Sequence, residues 1–186
     1  MNIIVGISGA SGVIMAKFLL EALSKTEGVT VHLIMTSGAT VTMTAEHAGT
    51  PETFKQFAAY TYDNHDFTAP IASGSFPVAG MVIVPCSMKT VAGIVTGYSD
   101  NLLLRAADVT VKEARPLIIV PRELPFSAIH LKNLSQAAAY GVTVMPPVMT
   151  FYNGAATVDE HIHHLIGKIM AKLGLRYEHF RPWQGV

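Results

Sequence analysis

A chain of 186 residues, half of them hydrophobic and only 14% charged, is long enough to bury a core of its own and reads as a single domain. Thirteen basic residues balance thirteen acidic ones, so the chain lacks the basic excess that nucleic-acid phosphates demand, and the single Cys86 excludes an internal disulfide and cannot hold a metal alone. No run of eighteen apolar residues is present to cross a membrane, and residues 1–24 read as a strand and a helix, not a signal peptide, which predicts a soluble cytoplasmic protein. So few charges for the surface of a domain this size imply that other copies of the chain cover part of it, as in a homo-oligomer.

Asn2-Ile3-Ile4-Val5-Gly6-Ile7 is an apolar, β-branched run that reads as a buried strand. It leads into Ser8-Gly9-Ala10-Ser11-Gly12, where glycines permit a tight turn and bring backbone N–H groups up to an anion at the start of the next helix. A nucleotide or flavin phosphate is the usual guest of such a turn. The spacing matches neither the dinucleotide fingerprint nor the P-loop, and a plain small-residue turn is the alternative reading. Met15 to Lys25 follows as a helix, with Phe18, Leu19, Ala22 and Leu23 at helical spacing. Val29 to Met35 is the second strand, ending at Thr36-Ser37-Gly38; a short helix through Val41 to Glu46 and a Pro51-started helix to Ala58 come next. Residues 59–76 lack clean periodicity and read as a long loop, a length that usually serves a function.

Val78 to Val84 is the third strand, ending at Pro85-Cys86-Ser87, where another helix begins. Leu102 to Glu113 reads as a helix with Arg105, Asp108 and Lys112 on its polar side, and Leu117 to Val120 as the fourth strand, capped by Pro121-Arg122-Glu123. Ser127 to Tyr140 is helical, Val142 to Met145 is the fifth strand stopped by Pro146-Pro147, and Asp159 to Leu173 is the last long helix. The tail carries Arg181-Pro182-Trp183-Gln184. Apolar strands alternating with helices predict an α/β fold with a parallel sheet covered on both faces. Ligands in such folds bind beyond the carboxyl ends of the strands, and the polar clusters at Ser11, Thr36, Ser87 and Arg122-Glu123 all fall there.

Ser11, Ser37 and Ser87 offer hydroxyls to a phosphate or a polar ring edge, although Ser87 serves equally well as a helix N-cap. Cys86 has no histidine beside it and reads as a small hydrophobe, not a nucleophile. Local sequence alone makes Glu46 a surface glutamate. Glu123, next to Arg122 and between Pro121 and Pro125, is a better candidate for a proton donor or acceptor. Arg105, Lys112, Arg122 and Lys168 are either solvated charges or a phosphate clamp assembled from several elements and more than one subunit, to which Tyr152 could add a hydroxyl. His161, His163 and His164 point in different directions along one helix and read as surface or interface residues; with His47 and His130 they show no metal-ligand spacing. Trp183 either plugs an interface or covers a ligand.

Taken together, Gly6-Ile7-Ser8-Gly9-Ala10-Ser11-Gly12, Ala72-Ser73-Gly74-Ser75, Pro85-Cys86-Ser87, Arg105-Ala106-Ala107-Asp108 with Lys112-Glu113, Val120-Pro121-Arg122-Glu123-Leu124-Pro125, Met145-Pro146-Pro147 with Phe151-Tyr152, and Arg181-Pro182-Trp183 resemble the UbiX-type flavin prenyltransferases over essentially the full length. The resemblance implies a single domain over residues 1–186 with a Rossmann-like or flavodoxin-like sheet, a tail (174–186) packed over the site or a neighbouring subunit, and a dodecamer with active sites at subunit contacts. It implies a metal-independent transferase that joins the dimethylallyl group of dimethylallyl monophosphate to reduced FMN, the prenylated FMN passing to a UbiD-type decarboxylase.

Carried over by motif, Ser11, Glu46 and Glu123 are the implied catalytic groups. Gly9, Ala10, Ser11, Thr36, Ser37, Ser87, Met88, Thr90, Arg105 and Arg122 are the implied flavin contacts. Lys112, Arg122, Glu123, Tyr152, Lys168 and Trp183 are the implied substrate contacts. Lys168 stands where the family commonly has an arginine, replacing a bidentate fork with a point charge, and Thr36 where a serine is common. Two other functions stay open at this level: a non-catalytic flavin-binding subunit of an aromatic acid decarboxylase, and a flavin-dependent cysteine decarboxylase, for which His47 is the one histidine near a plausible site.

Overall fold

The computed structural model describes residues 1–183 and Gly185; Gln184, counted above in the tail motif, and Val186 lie outside the described residues. Six parallel strands form one sheet in the order β3-β2-β1-β4-β5-β6: β1 (Asn2–Ile7), β2 (Thr30–Met35), β3 (Tyr60–Tyr62), β4 (Gly80–Cys86), β5 (Leu117–Pro121) and β6 (Thr143–Val144). Of the two sheet types expected, this is the 3-2-1-4-5-6 order of the doubly wound dinucleotide-binding folds. Among the described residues the α-helices are α1 (Ile14–Ser24), α2 (Ser37–Ala45), α3 (Pro51–Lys55), α4 (Met88–Thr96), α5 (Leu102–Lys112), α6 (Ala128–Ala139) and α7 (Val158–Lys172).

Strand side chains alternate between two cores, which is why the strands are apolar throughout. Ile3, Val5, Ile7, Val31, Leu33, Val82, Val84, Ile118 and Val120 face α1, α2, α3 and α7. Ile4, Ile34, Met81, Ile83 and Ile119 face α4, α5 and α6. Gly6 lets α5 lie directly on the sheet, since a Cβ there would sit 3.1 Å from Leu103 Cδ1.

Residues 59–76 correct the long-loop expectation. Tyr60–Tyr62 adds a sixth strand at the sheet edge beside β2, and Pro70–Ala72 forms a 3-10 turn. The strand is only three residues long and mostly exposed, so it carries no apolar pattern; it is held by His32 of β2, whose ring stacks between Tyr60 and Tyr62 and whose Nδ1 lies 2.9 Å from the Tyr62 hydroxyl. Among the described residues no helix is long and apolar enough to cross a membrane.

Candidate functional site

The sheet order reverses between β1 and β4, and the crevice beyond their carboxyl ends is where open α/β sheets take ligands. Pro85 has no N–H to give, and the β4–β5 register shifts between Ile83 and Cys86; the Pro85 carbonyl instead accepts from the Ser8 N–H (3.2 Å) and the Ser8 hydroxyl (3.0 Å). Ser8 Oγ in turn accepts from the Ser87 N–H at 2.7 Å. Buried Ser8 thus clips the two strand ends together and aims the start of α4 into the crevice. Sequence reading had placed Ser8 only within a turn.

Two helices begin at this crevice with hydroxyl caps. Thr36 Oγ1 accepts from the Ala39 N–H at the start of α2, and Ser87 Oγ accepts from the Thr90 N–H and lies 3.0 Å from Thr90 Oγ1 at the start of α4. Ser37 and Met88 are the first residues of those helices. The loops meet backbone to backbone at Gly9 and Gly38: a Cβ on Gly9 would sit 2.9 Å from both Cα and C of Gly38. Free helix N-termini with three hydroxyls, in a cradle that a side chain would block, fit the phosphate and ring edge of a flavin.

The start of α1 departs from expectation. Its Ncap, Val13, has no side-chain cap, and the first turn holds no acidic residue. Glu46, the C-cap of α2, supplies the anion instead: its carboxylate accepts from the Gly12 N–H at 2.7 Å and the Val13 N–H at 3.0 Å. The glycine-rich turn after β1 therefore holds a carboxylate where a phosphate was expected, because α2 ends directly across from it. The surface-glutamate reading of Glu46 falls with it.

Beside this turn lies a largely apolar cavity of about 320 Å³. Ser11, Gly12 and Arg122 line it together with Met15, Met149 and Leu165. Arg122 is fixed through its backbone, whose N–H donates to the Cys86 carbonyl at 3.2 Å, while its side chain is exposed. The exposed Glu123 turns one carboxylate oxygen back to the Leu124 N–H at 3.2 Å. Cys86 is fully buried, and burial pushes its thiol far above the ordinary range, which suits a packing residue and not a nucleophile.

Not all the expected residues meet in one chain. Arg105 is tied down by Asp108 (2.7 Å) and the Ala72 carbonyl (3.2 Å). Lys112 closes α5 just before β5 begins, paired with Glu113 beside Gly74, whereas Arg122 follows the far end of β5. Five strand residues separate the two ends by about 13 Å, so Lys112 lies toward the amino end of β5 and Arg122 at its carboxyl end.

A third group gathers at α7 and the tail. The Tyr152 ring meets His164 at 5.7 Å and Trp183 at 5.4 Å, both edge-on, and exposed Lys168 lies one helical turn beyond His164. Phe180 sits on Gly167, His163 Nδ1 lies 2.6 Å from the Tyr177 hydroxyl, and the His163 and His179 rings are 4.5 Å apart. His164 is buried, correcting its reading as a surface or interface residue: α7 starts at a Thr157–Glu160 capping box, and from there the helix turns position 164 under the tail. Burial holds His163 below the ordinary histidine range, helped by His179; burial and Lys168 do the same to His164. A cleft of about 770 Å³ between α1, α7 and the tail contains none of the crevice hydroxyls. No cluster of metal-binding groups occurs among the described residues.

Fold and crevice define a flavin-binding α/β protein, and the Flavoprotein family matches residues 1–174. A probable UbiX-like flavin prenyltransferase of Sedimentibacter hydroxybenzoicus is 44% identical over 185 residues, covering 100% of this chain and 98% of that protein. A dodecameric FMN-dependent UbiX-like decarboxylase from Escherichia coli O157:H7 superposes with a TM-score of 0.97 at 42% identity, each chain covered fully. AnUbiX (PadA1), solved with FMN and dimethylallyl pyrophosphate, superposes at 0.96 with 37% identity, covering 100% of this chain and 98% of its own. The chain belongs to the UbiX-like flavin prenyltransferases, a family of oligomeric FMN-dependent enzymes.

Proposed function

We propose that this chain transfers the dimethylallyl group of dimethylallyl monophosphate to reduced FMN, in a site completed by a second copy of the chain, and that the prenylated FMN serves a UbiD-type decarboxylase. The observation that carries the reading is the cavity at Ser11 and Arg122: an apolar chamber with a hydroxyl and a guanidinium on its wall, next to the Glu46 carboxylate. That combination suits a small apolar group bearing an anionic head. Solved AnUbiX in complex with FMN and dimethylallyl pyrophosphate supports an allylic phosphate as the donor.

Reduced FMN, when bound, supplies the electron-rich ring atoms that accept the allyl group. The chain's own residues do the rest. Thr36, Ser87 and Thr90 at the starts of α2 and α4 hold the flavin phosphate, and Gly9, Ala10, Ser37 and Met88 shape the wall along the ring. Arg122 and Lys168, joined by Lys112 of a neighbouring copy, gather on the donor phosphate and neutralise the charge that grows as the allylic C–O bond breaks, while the neutral Tyr152 hydroxyl donates to that phosphate and holds it in place. Glu123 gives a proton to the leaving phosphate. Glu46 and Ser11 hold and move protons on the flavin side; both Glu46 oxygens keep a lone pair beyond the backbone N–H they already accept. Apolar cavity walls exclude the water that would capture an allyl cation, and Trp183 covers the mouth. Arg105 supports the subunit contact.

The test is anaerobic incubation with reduced FMN and dimethylallyl monophosphate, followed by mass spectrometry of the extracted flavin. A flavin heavier by one dimethylallyl unit is expected; an unchanged mass in protein shown to bind FMN refutes the reading. For the shared site, Lys112→Ala and Arg122→Ala variants, each inactive alone, should regain part of the activity when unfolded and reassembled together. No regain in a mixed assembly would place both residues in one chain's site.

A further inference from the structure

Among the proposed phosphate ligands, Tyr152 has the least backbone support. It lies in the irregular segment between β6 and α7 and is 51% exposed. Its phenol is instead oriented by side chains. Trp183 meets the ring edge-on, and on the α7 side the hydroxyl lies 3.5 Å from His164 Nε2, at the long limit of a hydrogen bond. His164 is 7% exposed, packed between Tyr152 and Phe180 (5.3 Å), and its Nδ1 is buried with no partner among the described residues.

The orphaned nitrogen selects a tautomer. With the ring proton on Nδ1, a buried N–H donor would go unpaired and Nε2 would accept a hydrogen bond from the Tyr152 O–H. With the proton on Nε2, only a lone pair goes unpaired, and Nε2–H donates to the phenol oxygen. Buried orphan donors are the rarer of the two, which favours the second arrangement. The Tyr152 O–H then points away from His164. Burial and the nearby Lys168 cation keep the imidazole in its neutral form at neutral pH, so it competes with neither Lys168 nor Tyr152 for an anion.

We propose that His164 is a positioning residue for the donor phosphate: through Nε2–H it fixes the Tyr152 hydroxyl as a donor toward that phosphate, one helical turn from Lys168. This rests on the reading of Tyr152 as a phosphate ligand. Steady-state titration of dimethylallyl monophosphate at saturating reduced FMN tests it. His164→Phe should raise KM roughly 2- to 10-fold, the range of one modest hydrogen bond, with kcat and FMN affinity unchanged. His164→Gln, whose amide nitrogen reaches the Nε2 position, should restore the KM; His164→Asn, which reaches only Nδ1, should not. In a Tyr152→Phe background, His164→Phe should add nothing.

Multiplying effects in the double variant overturn the proposal, as does equal behaviour of the Gln and Asn variants. Should the Phe variant fail to fold, the Gln and Asn comparison decides alone. If Tyr152→Phe itself leaves KM unchanged, the phosphate-ligand reading of Tyr152 is what failed, and the role of His164 falls with it. A KM raised by Tyr152→Phe but not by His164→Asn removes only the His164 proposal.

Discussion

Gly167→Ala should detach the tail while leaving the domain as stable as before. Gly167 is in the interior of α7, and a Cβ there would sit 2.4 Å from the Cβ of Phe180 and 2.3 Å from its Cδ2. Turning the Phe180 ring cannot relieve a clash with its own Cβ, so the tail backbone must move. Full burial of a Phe side chain is worth about 1.5–3 kcal/mol, and half-buried Phe180 gives up roughly 1 kcal/mol when lifted away, about a fivefold shift toward the undocked tail. Against that, replacing Gly by Ala inside a helix gains about 1 kcal/mol. Global unfolding in urea should therefore move little, whereas the tail should open. Trp183 is the chain's one tryptophan and packs on Tyr152, so it reports directly. Acrylamide should quench its fluorescence more readily in the variant, and trypsin should cut faster after Arg176. Phe180→Ala should reproduce both effects without the helix gain, lowering stability as well. Unchanged quenching and unchanged cleavage in Gly167→Ala would refute the docking of the tail through Phe180.

His32 is buried, its Nε2 has no partner among the described residues, and burial holds its pKa below the ordinary value. Its contribution is whole above the unfolded-state pKa of about 6.5 and is lost as pH falls from there through the lower folded value, because the unfolded chain takes the proton first. Urea midpoints from pH 7.5 to 5 should fall in the wild type and fall less in His32→Phe; equal slopes would remove His32 from the acid response. Glu46→Ala should uncap α1 and cost about 1–2 kcal/mol in urea denaturation, with Glu46→Gln costing less because one oxygen still accepts; two variants as stable as wild type would mean that the carboxylate does not cap the helix. Gly9→Ala should push apart the loops that meet at Gly38. At the usual ~1–3 kcal/mol for overpacking, FMN binding measured by flavin fluorescence should weaken roughly 5- to 150-fold. An unchanged FMN affinity would show that the close approach of Gly9 and Gly38 does not shape the flavin site.

The sheet was legible because its strands are buried on both faces and leave continuous apolar runs, whatever their neighbours do. β3 was not, since Tyr60-Thr61-Tyr62 gains its place from His32, some thirty residues earlier, and not from any pattern of its own. The same separation hid Glu46. A glutamate among threonines and alanines reads as surface until Gly12 and Val13, 34 and 33 residues away, present their N–H groups to it. The glycine-rich turn was read correctly as an anion cradle, but nothing local tells an external phosphate from the chain's own carboxylate. Filling that cradle internally leaves the hydroxyl-capped starts of α2 and α4 as the remaining helix N-termini at the crevice, which is why the proposed flavin phosphate is assigned to them.

Lys112 and Arg122 pose the converse problem: ten residues apart in sequence, they lie at opposite ends of β5. A charge fraction of 14% implied covered surface. Exposed Leu124, Phe151 and Val148, at 87%, 76% and 70%, cluster in the segments that carry Arg122, Glu123 and Tyr152. Apolar surface of that kind beside half a phosphate clamp is what a second copy would bury. On the proposed reading, the neighbour that covers it would also supply Lys112, and assembly and completion of the site would be one event.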